Sequence, residues 1–352
     1  MTPSTRWPAV DLLRVVAAHL IVWHHFALYS GMADAAWSLA PQLFAFLVDH
    51  ARKAVQVFLV LAGFLAAKAC MPGGDGPSAG AGAIDSAGAW ARAVGGRFMR
   101  LAPTLWLALA LVVLLDASIG VDGGAPQPSW SERLALVAVN ALMLQDVLGM
   151  PAPSPGLWYV PIDIQLFALA ALLAWWGRSV SARLGAWIVA AAVIASAWIF
   201  NRDASSNAWA PYFVAAYGLG MLAWNVGHAR AGAAAAMALA TIGVLAALAV
   251  DFRDRLLLAT VVAWVLAVWM RTSNHARTAR TTPSSRALAA HADAAYALFL
   301  LHDPTRRIVE AGWSRWAASD PRVQALGLVL AWVASMLLAH GATRLLERHD
   351  TR

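Results

Sequence analysis

The chain has 352 residues, 61% of them hydrophobic and only 13% charged, with a mean hydropathy of +0.62. A soluble globule carries about 25% charged residues, so the composition excludes one and points to an all-α polytopic membrane protein. The net charge of +7 comes from basic side chains scattered in ones and twos without a stripe, which argues against a nucleic-acid partner, and the single Cys70 excludes an internal disulfide or a Cys-rich metal site.

The first apolar run, 10–29, is the most informative. Within Val10 to Phe26 it carries Asp11, Arg14, His19, His24 and His25, and its internal charges and lack of a small-residue cleavage site predict a retained first span. At 100° per residue, Arg14 and His25 lie about 20° apart on a helix and Asp11 and His25 about 40°, so one line presents carboxylate, guanidinium and imidazole over roughly 20 Å. Ionisable groups inside a bilayer cost several kcal/mol unless they meet a partner or a polar cavity. The plain alternative is a helix anchored at both interfaces by these residues.

Nine more membrane-length runs follow, at 51–69, 101–118, 157–176, 184–200, 209–226, 232–250, 256–270, 288–305 and 322–342. An eleventh, 133–149, contains Asn140, Gln145 and Asp146. Arg and Lys favour cytoplasmic loops. With the N-terminus inside and 133–149 not crossing, 15 basic residues fall inside and 10 outside; if it crosses, the split is 12 to 13. The first arrangement predicts about ten helices around a polar central tunnel, both termini cytoplasmic, and 133–149 lying at or dipping into the outer side. Residues 1–352 then form a single integral-membrane domain. Within it, 70–96, rich in Gly, Ala, Ser and Pro, reads as a flexible cytoplasmic loop, and 271–287 as a basic cytoplasmic loop.

Four further stretches carry chemistry. In the second run Gly63 allows close helix approach, and packing is its expected role. Arg97 and Arg100, three apart, share a helix face at the cytoplasmic rim, where two guanidinium forks suit phosphates such as those of coenzyme A; ordinary rim anchoring is the alternative. Asp163, with Gln165 two residues on, sits about a turn and a half inside the span opened by the Gly156-Leu157-Trp158 segment, where it could orient an imidazole or take part in proton transfer; an interfacial Asp near a proline turn is the alternative. Tyr296 to His302 ends in a histidine and Asp303 that interrupt an apolar run. No His-Glu-x-x-His spacing is present, and no metal is expected.

Together these segments resemble the membrane-bound acyltransferase type 3 family, bacterial integral-membrane O-acyltransferases of glycans. The likeness runs from Asp11 to about Leu346. It rests on Asp11-x-x-Arg14, on Arg14 followed after ten residues by His25, on Arg97-x-x-Arg100, on the Leu157-Trp158 segment with its acid at 163, and on Tyr296 to His302. Gln56 and Ala62 stand where the family usually has an acid and a Ser, and Asp163 where it usually has Glu. The resemblance implies an acyl-CoA donor, acetyl-CoA by default, used from the cytoplasm without a tightly bound cofactor. The acceptor would be a hydroxyl of an extracytoplasmic glycan or glycolipid. It implies His25, Arg14, Asp163 and Asp11 in catalysis, with His25 as general base or acyl relay. Arg97, Arg100, His24, Trp158, Gln165, Tyr296 and His302 would bind substrate or acyl-CoA. It places the protein in the bacterial cytoplasmic membrane among lipids, as a possible homo-oligomer. The competing reading is a transporter or flippase of a polar solute, against which the lack of a detectable repeat counts.

Overall fold

Pro8 opens the first helix, where its missing N–H costs nothing, and Ser30 closes it, its N–H still bonded to Phe26 O. The Ser30 side chain at once accepts from Met32 N and starts the next helix. Local rules of this kind set the element ends throughout the computed structural model, which describes residues 6–70, 84–119, 129–180, 182–272 and 283–350. The protein is 85% helical, with 13 helices and no strand among the described residues. Seven are long and apolar enough to cross a membrane, which makes it a polytopic all-α membrane protein.

The contacts group the chain into two compact units. The first comprises residues 1–54, 101–161 and 282–352. It contains α1 (Pro8–Tyr29), α2 (Gly31–Ala36), α3 (Pro41–Asp49), α6 (Trp130–Ala141), α12 (Pro283–Trp313) and α13 (Pro321–Asp350), with part of α5 (Ala87–Ile119). Here α1 packs on α12, and α12 on α13. Gly156 lies where a Cβ would come 2.6 Å from Phe299 O, so the chain at Gly156 presses backbone to backbone on α12.

The second unit comprises residues 55–100 and 162–281. It holds α4 (Val55–Cys70), most of α7 (Tyr159–Val180), α8 (Ala182–Ala195), α9 (Ala210–Gly227), α10 (Ala233–Val250) and α11 (Asp254–Thr272). Its axis is α9, buried along nearly its whole length between α4, α8, α10 and α11. A helix walled by other helices need not be uniformly apolar, and α9 carries Tyr212, Tyr217 and Asn225. Added Cβ atoms at Gly63 and Gly220 would sit 1.9 Å from Tyr217 O and 2.0 Å from Val60 O, so the α4–α9 contact requires glycine on both helices.

Three expectations from the sequence are revised. The segment 70–96 is not loop throughout: Ser86 Oγ accepts from Ala89 N and α5 runs from Ala87, while 71–83 lies outside the described residues. The segment 271–287 is helical at both ends, since α11 reaches Thr272 and α12 starts at Pro283, with 273–282 outside the described residues. The run expected over 288–305 ends too early: α12 continues to Trp313 and includes Arg306 and Arg307. The 133–149 stretch forms α6, twelve residues long, and then turns. At 1.5 Å per residue α6 reaches about 18 Å, short of a bilayer core.

Candidate active site

In the first unit, α1 and α12 bring His25 and His302 together. His25 Nδ1 lies 2.7 Å from His302 Nε2, and the rings stack with centroids 4.9 Å apart and 15° between planes. His302 Nδ1 lies 2.8 Å from Phe299 O. A carbonyl only accepts, so His302 Nδ1–H donates to it and the neutral ring has an unprotonated Nε2. His25 Nδ1–H therefore donates to that Nε2. This leaves His25 Nε2 with its lone pair, and among the described residues it takes no hydrogen-bond partner. His302 is 0% exposed and His25 8%, so packing holds the pair in one orientation.

The sequence puts this pair in place through two local features. His25 sits on the turn before Ser30 ends α1. His302 sits on the turn of α12 that contains Pro304, whose missing N–H removes one rung of the helix ladder. Thr305 Oγ1 bonds Leu301 O at 2.6 Å in the same turn.

Beyond His302 lies a buried charged network that the sequence reading passed over. Asp303, 1% exposed, faces Arg306 at 2.9 Å and Arg307 at 3.1 Å. Arg306 also pairs with Glu310. Glu310 Oε1 accepts from Ser30 Oγ at 3.0 Å and Met32 N at 3.3 Å. Arg307 reaches Asp116 at 3.3 Å and Pro153 O at 3.2 Å. The signal was present in the spacing: Asp303 to Arg306 is i,i+3 and Arg306 to Glu310 is i,i+4.

The other expected residues of this unit lie elsewhere. His24, next to His25, turns to α3, its Nδ1 2.9 Å from Leu47 O. Asp11 lies 3.8 Å from Arg6, and Arg6 in turn pairs with Asp293 of α12 at 2.6 Å. Arg14 is half-buried one turn on. Trp158 packs edge-on against Tyr159, with 6.1 Å between ring centroids. Tyr296 donates to Leu101 O at 3.1 Å.

In the second unit, Arg97 and Asp163 form a two-point ion pair. Arg97 Nε and Nη2 lie 2.8 and 2.9 Å from the two carboxylate oxygens. Asp163 is 2% exposed, and the guanidinium also stands over the Phe167 ring at 5.6 Å. The carboxylate expected to orient an imidazole is thus held by a guanidinium, and the partner of His25 is a second histidine. Arg100 is exposed. Gln165 fastens backbone: its Nε2 donates to Ala208 O at 3.2 Å and its Oε1 accepts from Ala210 N at 2.9 Å. Among the described residues no group of three His, Cys, Asp or Glu side chains is arranged to hold a metal ion.

The chain is thus a multi-pass helical membrane protein that buries a histidine pair and charged side chains among its helices. The family model described as acyltransferase domain matches residues 7–340, and the chain belongs to this family, the membrane-bound acyltransferases of type 3. Neither a curated protein nor a solved structure matches it.

Proposed function

We propose that this acyltransferase moves a short acyl group, acetyl by default, from cytoplasmic acyl-CoA to a hydroxyl of an extracytoplasmic glycan or glycolipid, with His25 as general base. The reading is supported above all by the tautomer chain Phe299 O, His302, His25, which ends in an open lone pair on His25 Nε2. An acceptor hydroxyl gives its proton to that nitrogen as its oxygen adds to the thioester carbon. The carbon–sulfur bond then breaks, and the imidazolium returns the proton to the CoA thiolate. His302 accepts the hydrogen bond from His25 Nδ1–H and strengthens as an acceptor when His25 becomes positive, so it holds the ring and eases its charging. General-base help of this kind is typically worth about a hundredfold to ten-thousandfold in rate.

The donor phosphates suit guanidinium forks. In this reading Arg100, exposed, meets them first, and Arg97, fixed in direction by Asp163, supplies a second fork edge. Arg14, half-buried on the His25 face of α1, binds the pantetheine or thioester region. The site has no need of a tightly bound cofactor for this chemistry. The membrane is the bacterial cytoplasmic membrane, with both termini on the cytoplasmic side.

The test is mass spectrometry of surface glycans from cells with and without the protein, paired with CoA-thiol release by membranes supplied with acetyl-CoA. The expected result is an acyl increment on a glycan that disappears with the protein, and thiol release that depends on acceptor. Unchanged glycans together with no thiol release from any short acyl-CoA would contradict the proposal.

A further inference from the structure

His302, Arg306 and Glu310 are spaced by four residues and so form one stripe on α12, about 6 Å apart along the axis. The stripe faces the end of α1 at two bridges, His302 to His25 and Glu310 to Ser30. Arg306 lies on the stripe between these bridges, one turn beyond His302, and is 6% exposed. Its Nη1 donates to Glu310 and its Nη2 donates to Asp303 at 2.9 Å. These two carboxylates fix the plane of the guanidinium. Its Nε–H is buried and makes no hydrogen bond among the described residues. An ionised donor left unpaired away from water is costly, so this N–H is available to a partner that binds beside it.

Acyl transfer supplies such a partner. When the acceptor oxygen adds to the thioester carbon, the carbonyl oxygen becomes an oxyanion until the carbon–sulfur bond breaks. Fixed donors aimed at that charge in a site without water need no reorganisation during reaction. On the reading of His25 given above, we infer that Arg306 is a further catalytic residue, whose Nε–H binds the oxyanion formed beside His25. Asp303 and Glu310 are then positioning residues that hold the guanidinium in place. Bonds balance as before: the acceptor oxygen–carbon bond forms, the carbon–sulfur bond breaks, and the acceptor proton reaches the thiolate through His25. Arg306 gives up no proton.

The experiment compares wild type with Arg306→Gln and Arg306→Lys in the full-length protein. Kinetics of acyl transfer are followed with acetyl-CoA and with fluoroacetyl-CoA, whose fluorine stabilises the oxyanion by itself. Loss of an oxyanion donor lowers kcat by about a hundredfold to a thousandfold. Both variants are expected to show that loss in kcat with little change in the KM for acetyl-CoA, and a smaller deficit with fluoroacetyl-CoA. Arg306→Lys keeps a positive charge for Asp303 and Glu310, so it reports the effect if Arg306→Gln does not fold. Rates within threefold of wild type, a loss confined to KM, an equal deficit with both donors, or failure of Arg306→Lys itself to fold would overturn the inference. Failure of the wild-type protein to transfer either acyl group would instead overturn the acyl-CoA reading on which it rests.

Discussion

The two buried pairs differ in what they leave unused. Arg97 and Asp163 satisfy each other with two parallel hydrogen bonds, and neither carboxylate oxygen is left without a guanidinium nitrogen. His25 and His302 share one hydrogen bond, anchored at Phe299 O, and leave an imidazole nitrogen open at the far end. A closed pair holds helices in register, whereas an open one can take a proton. Burial is common to both pairs; in the function proposed above, it is the open nitrogen that fits His25 to act as a base.

Removing one member of the closed pair tests that difference hardest. Arg97→Ala leaves the Asp163 carboxylate buried without its partner, and breaking a buried pair in this way costs about 3–5 kcal/mol. A large fall in melting temperature in detergent is expected, with the double change to Leu at both positions milder than Arg97→Ala. A cost below about 1 kcal/mol, the range of exposed pairs, would show that the pair is not closed.

The open pair is expected to respond in activity more than in stability. His302→Leu removes the acceptor for His25 Nδ1–H, while His302→Gln can offer an amide oxygen in its place. Acyl-transfer assays should show a larger kcat loss for Leu than for Gln, with both variants folded. Equal losses would separate His302 from the base.

The smallest effect is expected at Gln165, close to Asp163 on α7 but bonded only to backbone at Ala208 and Ala210. Gln165→Leu should lower stability by roughly 1–3 kcal/mol through the unmet groups, measurable by thermal denaturation, and leave the KM for acyl-CoA within twofold. A large KM change would return Gln165 to the donor site.

Much of the fold was legible. Each of the ten membrane-length runs lies mostly on helix, because apolar length is decided locally by hydropathy and by Pro, Ser and Gly at the ends, though among the described residues only seven helices are long and apolar enough to span. The short reach of α6 was legible too, from the polar residues that interrupt its run. The start of α5 was obscured because Gly and Ala composition outweighed the Ser86 cap and the helix-favouring alanines after it. His25 and His302 were both visible as histidines out of place in apolar runs. Their pairing was not, since 277 residues separate them and only the packing of α1 on α12 brings them together. Arg306 was missed for a different reason. It falls just past the apolar run 288–305, and hydropathy cannot see that carboxylates three residues before and four after make an arginine fit to be buried.

The most direct measurement is acceptor-dependent acyl transfer by purified His25→Ala beside wild type, with circular dichroism and melting temperature recorded for both. The variant is expected to keep its helices and its melting transition and to lose transfer by about a hundredfold or more. Transfer at the wild-type rate by a folded His25→Ala protein would contradict it.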